Sequence, residues 1–323
     1  MWITSSLDTV RVPTHVALGN FDGVHRGHRR VIEPILASAL THSEAVVPDL
    51  IHKPHSTVLT FCPHPQEFFT GKRRPLLTPI DEKVALLQEM GVQQLVLLPF
   101  DQTLAEMSAQ DFVDIILVQR LQARQISVGQ DFRFGCKRSG TTQDLQAIAA
   151  TYDITVQIIP LHTSNGDRIS SSAIRHALQA GDLPQANHLL GRTYTLVGQV
   201  VQGQQLGRLL GFPTANLKLP DEKFLPHQGV YSVRVSGTEL TLQGHSLAGV
   251  MNIGNRPTVN GVQQTIEVHL LDWSGDLYGQ TLTVSLEKFI RPEQKFASLE
   301  ALKAQIQADC DIARSLLATT PLP

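Results

Sequence analysis

Two histidines three residues apart, His25 and His28, lie inside the stretch Gly19-Asn-Phe-Asp-Gly-Val-His-Arg-Gly-His28. That spacing puts both rings on one side of a first helical turn. Beside a nucleotide they could donate hydrogen bonds to phosphoryl oxygens as charge builds in a transition state. A turn with two exposed histidines and no chemistry is the plainer alternative. The setting favours chemistry, because a Gly-rich turn between a strand and a helix offers unpaired N–H groups and a positive dipole end to an anion. It is not a Walker A loop, since no Lys-Ser/Thr pair follows the glycines, and it is not a GxGxxG fingerprint.

Three more stretches carry candidate groups. Arg168-Ile-Ser-Ser-Ser-Ala-Ile-Arg175 opens a helix, and its serines are either plain N-caps or, with Ser171 and Arg175, a phosphate clamp. Gly207 to Asn216 ends in a Pro-ordered turn presenting Thr214 and Asn216. A hydroxyl and an amide oxygen two apart can both bind magnesium, a hard ion that shares phosphate oxygens; an ordinary capped turn is the alternative. Glu267 lies on Thr265-Ile-Glu-Val-His-Leu-Leu271, where Ile266, Val268 and Leu270 alternate onto one face and Thr265, Glu267 and His269 onto the other. A Glu there faces solvent by default, or faces a ligand and accepts a proton from an alcohol attacking ATP. Phe61 to Phe68, an extended turn stiffened by two prolines and carrying His64, and Gly129 to Gly135, with Asp131 and Arg133, follow strands and could reach the same crevice.

The elements that must position these groups follow from periodicity. Val16–Leu18, Thr57–Phe61, Gln94–Leu98, Gln125–Val128 and Ile154–Ile159 read as strands, and Arg29–Leu40, Asp81–Met90, Ala109–Leu121 and Gln143–Tyr152 as helices. The alternation predicts a doubly wound, mostly parallel α/β sheet, with ligands outside the carboxyl ends of its strands. Thr41 to Ser56 is a polar insert expected to be a loop. The helix opened by the serines runs to Ala180 and stops at Gly181. After Gly191 the texture turns to β segments at Tyr194–Val201, Val230–Val235, Leu247–Ile253, Thr265–Leu271 and Leu282–Phe289, which predicts a small antiparallel barrel. A terminal helix over 298–317 carries Leu299, Leu302, Ile306, Ala313 and Leu316 as its buried stripe. The boundary between the two parts falls near residues 182–192.

Composition narrows the class. The chain has 323 residues, which suits two domains, and a net charge of −2, which argues against a general binder of nucleic acid or membrane surfaces. Cys62, Cys136 and Cys310 lie far apart with no CxxC, fitting a reducing compartment rather than a disulfide framework or a sulfur-rich zinc site. No signal peptide or membrane-length apolar run is visible, so a cytoplasmic protein is expected.

Taken in order, GNFDGVHRGH (19–28), TFCPHPQEFF (60–69), VGQDFRFG (128–135), RISSSAIR (168–175), LGFPTANL (210–217), GVYSVRV (229–235), MNIGNRPTV (251–259), IEVHLLD (266–272) and LYG (277–279) resemble the bacterial bifunctional riboflavin kinase/FAD synthetase family over nearly the whole chain. The resemblance implies a Rossmann-like FMN adenylyltransferase domain over 1–186 and a flavokinase β-barrel with a terminal helix over 187–323. It implies a transferase that phosphorylates riboflavin to FMN and adenylylates FMN to FAD, releasing pyrophosphate, with ATP as co-substrate and Mg2+ as cofactor. On it, Gly19, Phe21, Asp22, Gly23, His25, His28, Asp131, Ser171, Arg175, Gly207, Thr214 and Asn216 bind nucleotide. His25, His28 and Glu267 are catalytic, Glu267 as the base on the ribityl 5′-hydroxyl. Thr214 and Asn216 hold the metal, and His64 and Arg291 are assigned to flavin. The expected partners are riboflavin, FMN and ATP, with no nucleic acid or membrane, and the chain is expected to be a monomer or weak homo-oligomer. Two departures stand out: the 41–56 insert is long for this family, and Cys62 stands where an acidic residue is common. Two rival classes stay open, an HxGH adenylyltransferase on another phosphorylated acceptor such as phosphopantetheine, and a non-catalytic flavin carrier. The PTAN and Glu267 stretches count against the first and the intact charged residues against the second.

Overall fold

The computed structural model describes residues 1–41, 53–161, 163–164, 167–203, 206–237, 246–258 and 261–318. The chain divides into two compact units, Met1–Ser171 and Ser172–Pro323. No helix among the described residues is long and apolar enough to cross a membrane.

The first unit is built on a six-stranded sheet of β1 (Trp2–Thr4), β2 (Thr14–Leu18), β3 (His55–Cys62), β4 (Gln94–Pro99), β5 (Ala123–Gly129) and β6 (Thr155–Ile159), in the order β1-β4-β3-β2-β5-β6. Every pairing is parallel. All five residues of β2 are buried, as a central parallel strand covered on both faces requires. Ala17 packs with Ile32 and Ile35 of α1 (Arg26–Thr41), while Val16 and Leu18 join a core on the opposite face with Phe112 and Leu145. Also in this unit are α2 (Pro65–Thr70), α3 (Ile80–Glu89), α4 (Gln102–Glu106), α5 (Ala109–Asp111), α6 (Thr142–Ala150) and a hairpin of β7 (Thr163–Ser164) and β8 (Asp167–Arg168). The doubly wound sheet predicted from periodicity is therefore present, with an edge strand, β1, that the sequence reading did not include.

The second unit begins with α7 (Ser171–Gln179), whose first residue closes the first unit, and α8 (Leu183–Leu190). A closed antiparallel barrel follows: β9 (Thr195–Val201), β10 (Ala215–Lys218), β11 (Gly229–Gly237), β12 (Leu247–Thr258), β13 (Gly261–Leu270) and β14 (Thr281–Arg291) run in the order β10-β13-β12-β11-β14-β9. Closure removes the exposed edges that an open sheet would carry. Buried Ile266, Val268 and Leu270 alternate as the sequence predicts. A short helix, α9 (Leu206–Leu209), lies between β9 and β10, and α10 (Leu299–Ala318) packs Cys310 and Ala313 against Val230, Val250 and Leu271.

Several local expectations are corrected. The first helix starts at Arg26, so His28 lies within its first turn. Pro65 does not prolong an extended turn but begins α2 at the position where proline suits a helix, and His64 and Glu67 form a reciprocal capping box. From Phe112 to Arg120 the helix after α5 is π-helical. The barrel's sixth strand, β10, contains Asn216, which the sequence had placed in a turn; its short length hides any alternation. A helix, α8, occupies the segment read as a boundary. In α10 the buried residues are Asp309, Cys310, Ala313 and Leu317, while Leu299 is 58% exposed. An apolar-only stripe cannot anticipate a buried carboxylate, and Asp309 turns inward to meet an arginine described below. Of the 41–56 insert, residues 42–52 lie outside the described residues; β3 takes the last two positions.

Burial pushes the Cys310 thiol up to about 11, whereas Cys62 is exposed at the end of β3. Because the thiolate is the reactive species, an alkylating reagent near neutral pH should modify Cys62 in the native protein and reach Cys310 only after denaturant is added. Mass spectrometry of the labelled peptides would show this, and early labelling at Cys310 would contradict the packing of α10.

Candidate functional site

In the first unit the turn after β2 bends sharply before α1. Phe21, Gly23 and Val24 have φ of 48°, 93° and 39°, a region costly for side chains other than glycine. Such a bend leaves peptide groups without neighbours in secondary structure, and side chains from elsewhere take them up. The Thr78 hydroxyl accepts from the Gly23 N–H at 2.9 Å, and the Asp22 carboxylate accepts from the Thr78 N–H at 3.2 Å. The Asn20 carbonyl accepts from Thr60 Oγ1 at 3.0 Å and from Lys83 Nζ at 2.9 Å. Ser171 donates its hydroxyl to the Asp22 carbonyl at 2.8 Å, tying the start of α7 to the same turn.

Within this frame the two histidines meet. Their rings stack with centroids 3.5 Å apart and 15° between planes, and the Phe21 ring lies edge-on to His28 at 5.3 Å. The His28 N–H donates to His25 Nδ1 at 3.2 Å, so Nδ1 of His25 is the acceptor and Nε2 the nitrogen that carries the proton. Gly27 permits the fit, since a Cβ there would lie 3.2 Å from the His25 ring. The pair stands at the head of α1, where N–H groups and dipole favour an anion.

Other predicted residues reach the same edge of the sheet by strand order, because β2 lies between β3 and β5. Asp131 follows β5 and forms an ion pair with Arg168. His64 follows β3, but its Nδ1 accepts from the Gln66 N–H at 3.1 Å as a helix cap. Arg175, one turn along α7 from Ser171, sits within the second unit with its guanidinium 5.7 Å from the Phe224 ring centroid.

In the second unit a cavity of about 340 Å³ gathers Gly207, Thr214, Asn216, Glu267 and Arg291 from separate segments. Barrel register does most of this work. Asn216 of β10 pairs with Glu267 of β13, which pairs on its other side with Asn252 of β12. Directly paired residues project from the same face, so three polar side chains stand in a row inside the cavity. Glu267 thus faces the cavity rather than bulk solvent. The approach to this row is close: a Cβ at Gly203 would fall 2.2 Å from the Asn216 amide, and one at Gly207 would fall 3.3 Å from Thr214 Oγ1.

Two neighbours hold this arrangement. His269 Nδ1 lies 2.8 Å from the Pro213 carbonyl, which makes it the donor and fixes the turn leading into Thr214. Arg291 donates from Nε and Nη2 to Asp309 at 2.9 and 2.7 Å, and Asp309, only 2% exposed, also accepts from Gln305 at 3.0 Å. A bidentate pair of this kind fixes a guanidinium plane as well as its charge.

The sequence reading passed over Thr60, Thr78, Lys83, Asn252 and Asp309. Asn252 was within reach, in the MNIGNRPTV stretch, and barrel register, which pairs it with Glu267, distinguishes it from Asn255 three positions on. Thr60, Thr78 and Lys83 act on a turn far from them in sequence, and nothing in their local pattern announces it.

The cavity of the second unit combines apolar walls with several oxygen-bearing side chains. Thr214 and Asn216 suit a hard cation that keeps waters and shares phosphate oxygens. Among the described residues no cluster of His, Cys, Asp and Glu forms a closed metal cage, and the Gly203 and Gly207 backbones approach Asn216 and Thr214 closely enough that only glycine fits there.

Comparison with known proteins follows the same division. A family model described as FAD synthetase matches residues 8–173, and one described as riboflavin kinase matches residues 190–317. A Pseudomonas fluorescens protein named bifunctional riboflavin kinase/FMN adenylyltransferase is 43% identical over 302 residues, covering 93% of this chain and 92% of that one. The protein of that name from Escherichia coli K12 is 41% identical over 306 residues, covering 94% and 93%. A solved Streptococcus pneumoniae structure described as a macrolide-efflux protein is 29% identical, with a TM-score of 0.83 over 97% of this chain and 98% of that one. Its description names a transport role that the two family models and the nearly full-length relatives do not share. With both models matched in succession and relatives aligned across both units, this chain belongs to the bifunctional riboflavin kinase/FMN adenylyltransferase family.

Proposed function

We propose that this enzyme makes FAD in two steps, phosphorylating riboflavin with ATP to give FMN and ADP, then joining FMN to the AMP portion of a second ATP with release of pyrophosphate. The observation that carries the reading is the cavity of the second unit in which Thr214, Asn216, Glu267 and Arg291 meet, together with the histidine pair at a helix N-terminus in the first unit. We assign adenylyl transfer to residues 1–186 and kinase chemistry to residues 187–323.

In the kinase step Glu267 takes the proton of the ribityl 5′-hydroxyl as its oxygen attacks the terminal phosphorus of ATP. Thr214 and Asn216 would hold Mg2+, which when bound offsets the charge on the transferring phosphoryl oxygens. Gly207 lets the backbone approach the nucleotide, and Arg291, held by Asp309, orients the flavin. In the adenylyl step the FMN phosphate is already an anionic nucleophile, so no base is required. Here the protein aligns two polyanions and offsets their repulsion, through the turn that holds Gly19, Phe21, Asp22 and Gly23, the imidazoles of His25 and His28, and Ser171 and Arg175. Asp131 lies at the nucleotide and His64 at the flavin. The net charge of −2 supports small-molecule partners without nucleic acid or membrane, and we place the enzyme in the cytoplasm as a monomer or weak homo-oligomer.

Incubation with riboflavin, ATP and magnesium, followed by chromatography, should show FMN rising and then passing into FAD. Glu267→Gln should reduce FMN formation by roughly 10²–10⁴-fold, the typical contribution of a positioned general base, while FAD formation from supplied FMN continues. Normal riboflavin phosphorylation in that variant would remove the base assignment. His28→Ala should act in the opposite sense, slowing FMN adenylylation by about 10²–10³-fold and sparing the kinase step. Equal loss of both activities would show that the two steps do not use separate sites.

A further inference from the structure

Lys83 lies on α3, far in sequence from every motif above, yet its side chain ends beneath the turn between β2 and α1. It is only 7% exposed, and its Nζ donates to the Asn20 carbonyl at 2.9 Å. The same carbonyl accepts from the hydroxyl of Thr60, a buried residue of β3, at 3.0 Å. Two donors on one oxygen fix the direction of that peptide plane. In a trans peptide the C=O and the following N–H point in opposite directions. Drawing the Asn20 oxygen toward Lys83 and Thr60 therefore aims the Phe21 N–H away from them. Among the described residues that N–H makes no hydrogen bond. Phe21 itself is in the left-handed region, at φ 48°, and its ring packs against Gly19 and edge-on to His28. Successive peptides bent through such conformations form concavities of N–H groups that bind anions.

The choice of a lysine is informative. Satisfying a carbonyl needs only a neutral donor, and Thr60 already supplies one. A buried ammonium is costly unless negative charge is near. The Asp22 carboxylate offsets part of the burial that pushes the Lys83 ammonium below its usual range, and a polyphosphate at the head of α1 would supply more.

Resting on the adenylyl-transfer reading of this unit, we propose that Lys83 is a positioning residue: together with Thr60 it orients the Asn20–Phe21 peptide so that the Phe21 N–H donates to a phosphate oxygen of ATP. The residue acts through the backbone and touches neither substrate.

Full-length Lys83→Met, Thr60→Val and the double variant test this, with riboflavin phosphorylation in the other unit as an internal control. Binding of pyrophosphate, measured by calorimetry, gives a readout independent of turnover. We expect Lys83→Met to weaken pyrophosphate binding and raise the KM for ATP in FMN adenylylation by about 10–100-fold, somewhat below the effect of deleting a transition-state donor outright. The KM for FMN and riboflavin phosphorylation should hold within about twofold, and Thr60→Val should act in the same direction more weakly. Since both side chains act on one carbonyl, the double variant should fall short of the product of the single effects. Wild-type pyrophosphate binding in a folded Lys83→Met protein would overturn the proposal, as would multiplicative effects of the two substitutions. If Lys83→Met does not fold, unchanged pyrophosphate binding in Thr60→Val overturns it instead. Absence of FAD synthesis in the unmodified protein would strike at the functional reading, a separate result.

Discussion

A turn that offers its own peptide groups to a ligand cannot spend those groups on internal hydrogen bonds, so its shape must be imposed from outside. Side chain to backbone hydrogen bonds do this in both units. Thr60, Thr78, Lys83 and Ser171 hold the turn between β2 and α1. His269 holds the Pro213 carbonyl ahead of Thr214. Each such bond contributes about 0.5–1.5 kcal/mol net, and a non-glycine residue with left-handed φ costs about 1–3 kcal/mol. Phe21 and Val24 are two such residues, and several bonds converge on the turn that contains them. The opposing terms are of similar size, so each pinning side chain matters to whether the turn keeps its shape.

The two units meet this requirement on different scaffolds. A parallel sheet brings the ends of neighbouring strands to one edge, so groups after β2, β3 and β5 collect there although they are far apart in sequence. The barrel uses lateral register instead, setting Asn216, Glu267 and Asn252 side by side on three strands. A slip of one residue in β13 would turn Glu267 to the other face and expose Ile266 and Val268. Burial of those two residues therefore also protects the placement of the carboxylate. The Arg291–Asp309 pair makes α10 part of the cavity wall rather than a simple cover for the barrel.

Much of this was legible because local pattern and function coincide. The strand-turn-helix around residues 16–40, the alternation in β13 and the change of texture after Gly191 are all short-range signals. So is the composition of the motifs that carry the family resemblance. Where the reading missed, a tertiary contact had overruled a local rule. Asp309 is a charged residue on a buried helix stripe because Arg291 lies opposite. His64 caps α2 through a capping box with Glu67 that the paired prolines masked. Strand β10 is too short to show any period, and only its neighbours β9 and β13 define it.

The amino-acid order alone determined the two-part architecture, the residue types able to handle phosphates, and the alternating faces of the strands, since each depends on neighbours within a few positions. Tertiary structure decided which of those residues share a cavity, which way the bent peptides point, and that Lys83 and Thr60 meet the turn before α1 while Asp309 meets Arg291. Those outcomes depend on strand register and on hydrogen bonds between residues dozens of positions apart, and no local pattern encodes a partner at that distance.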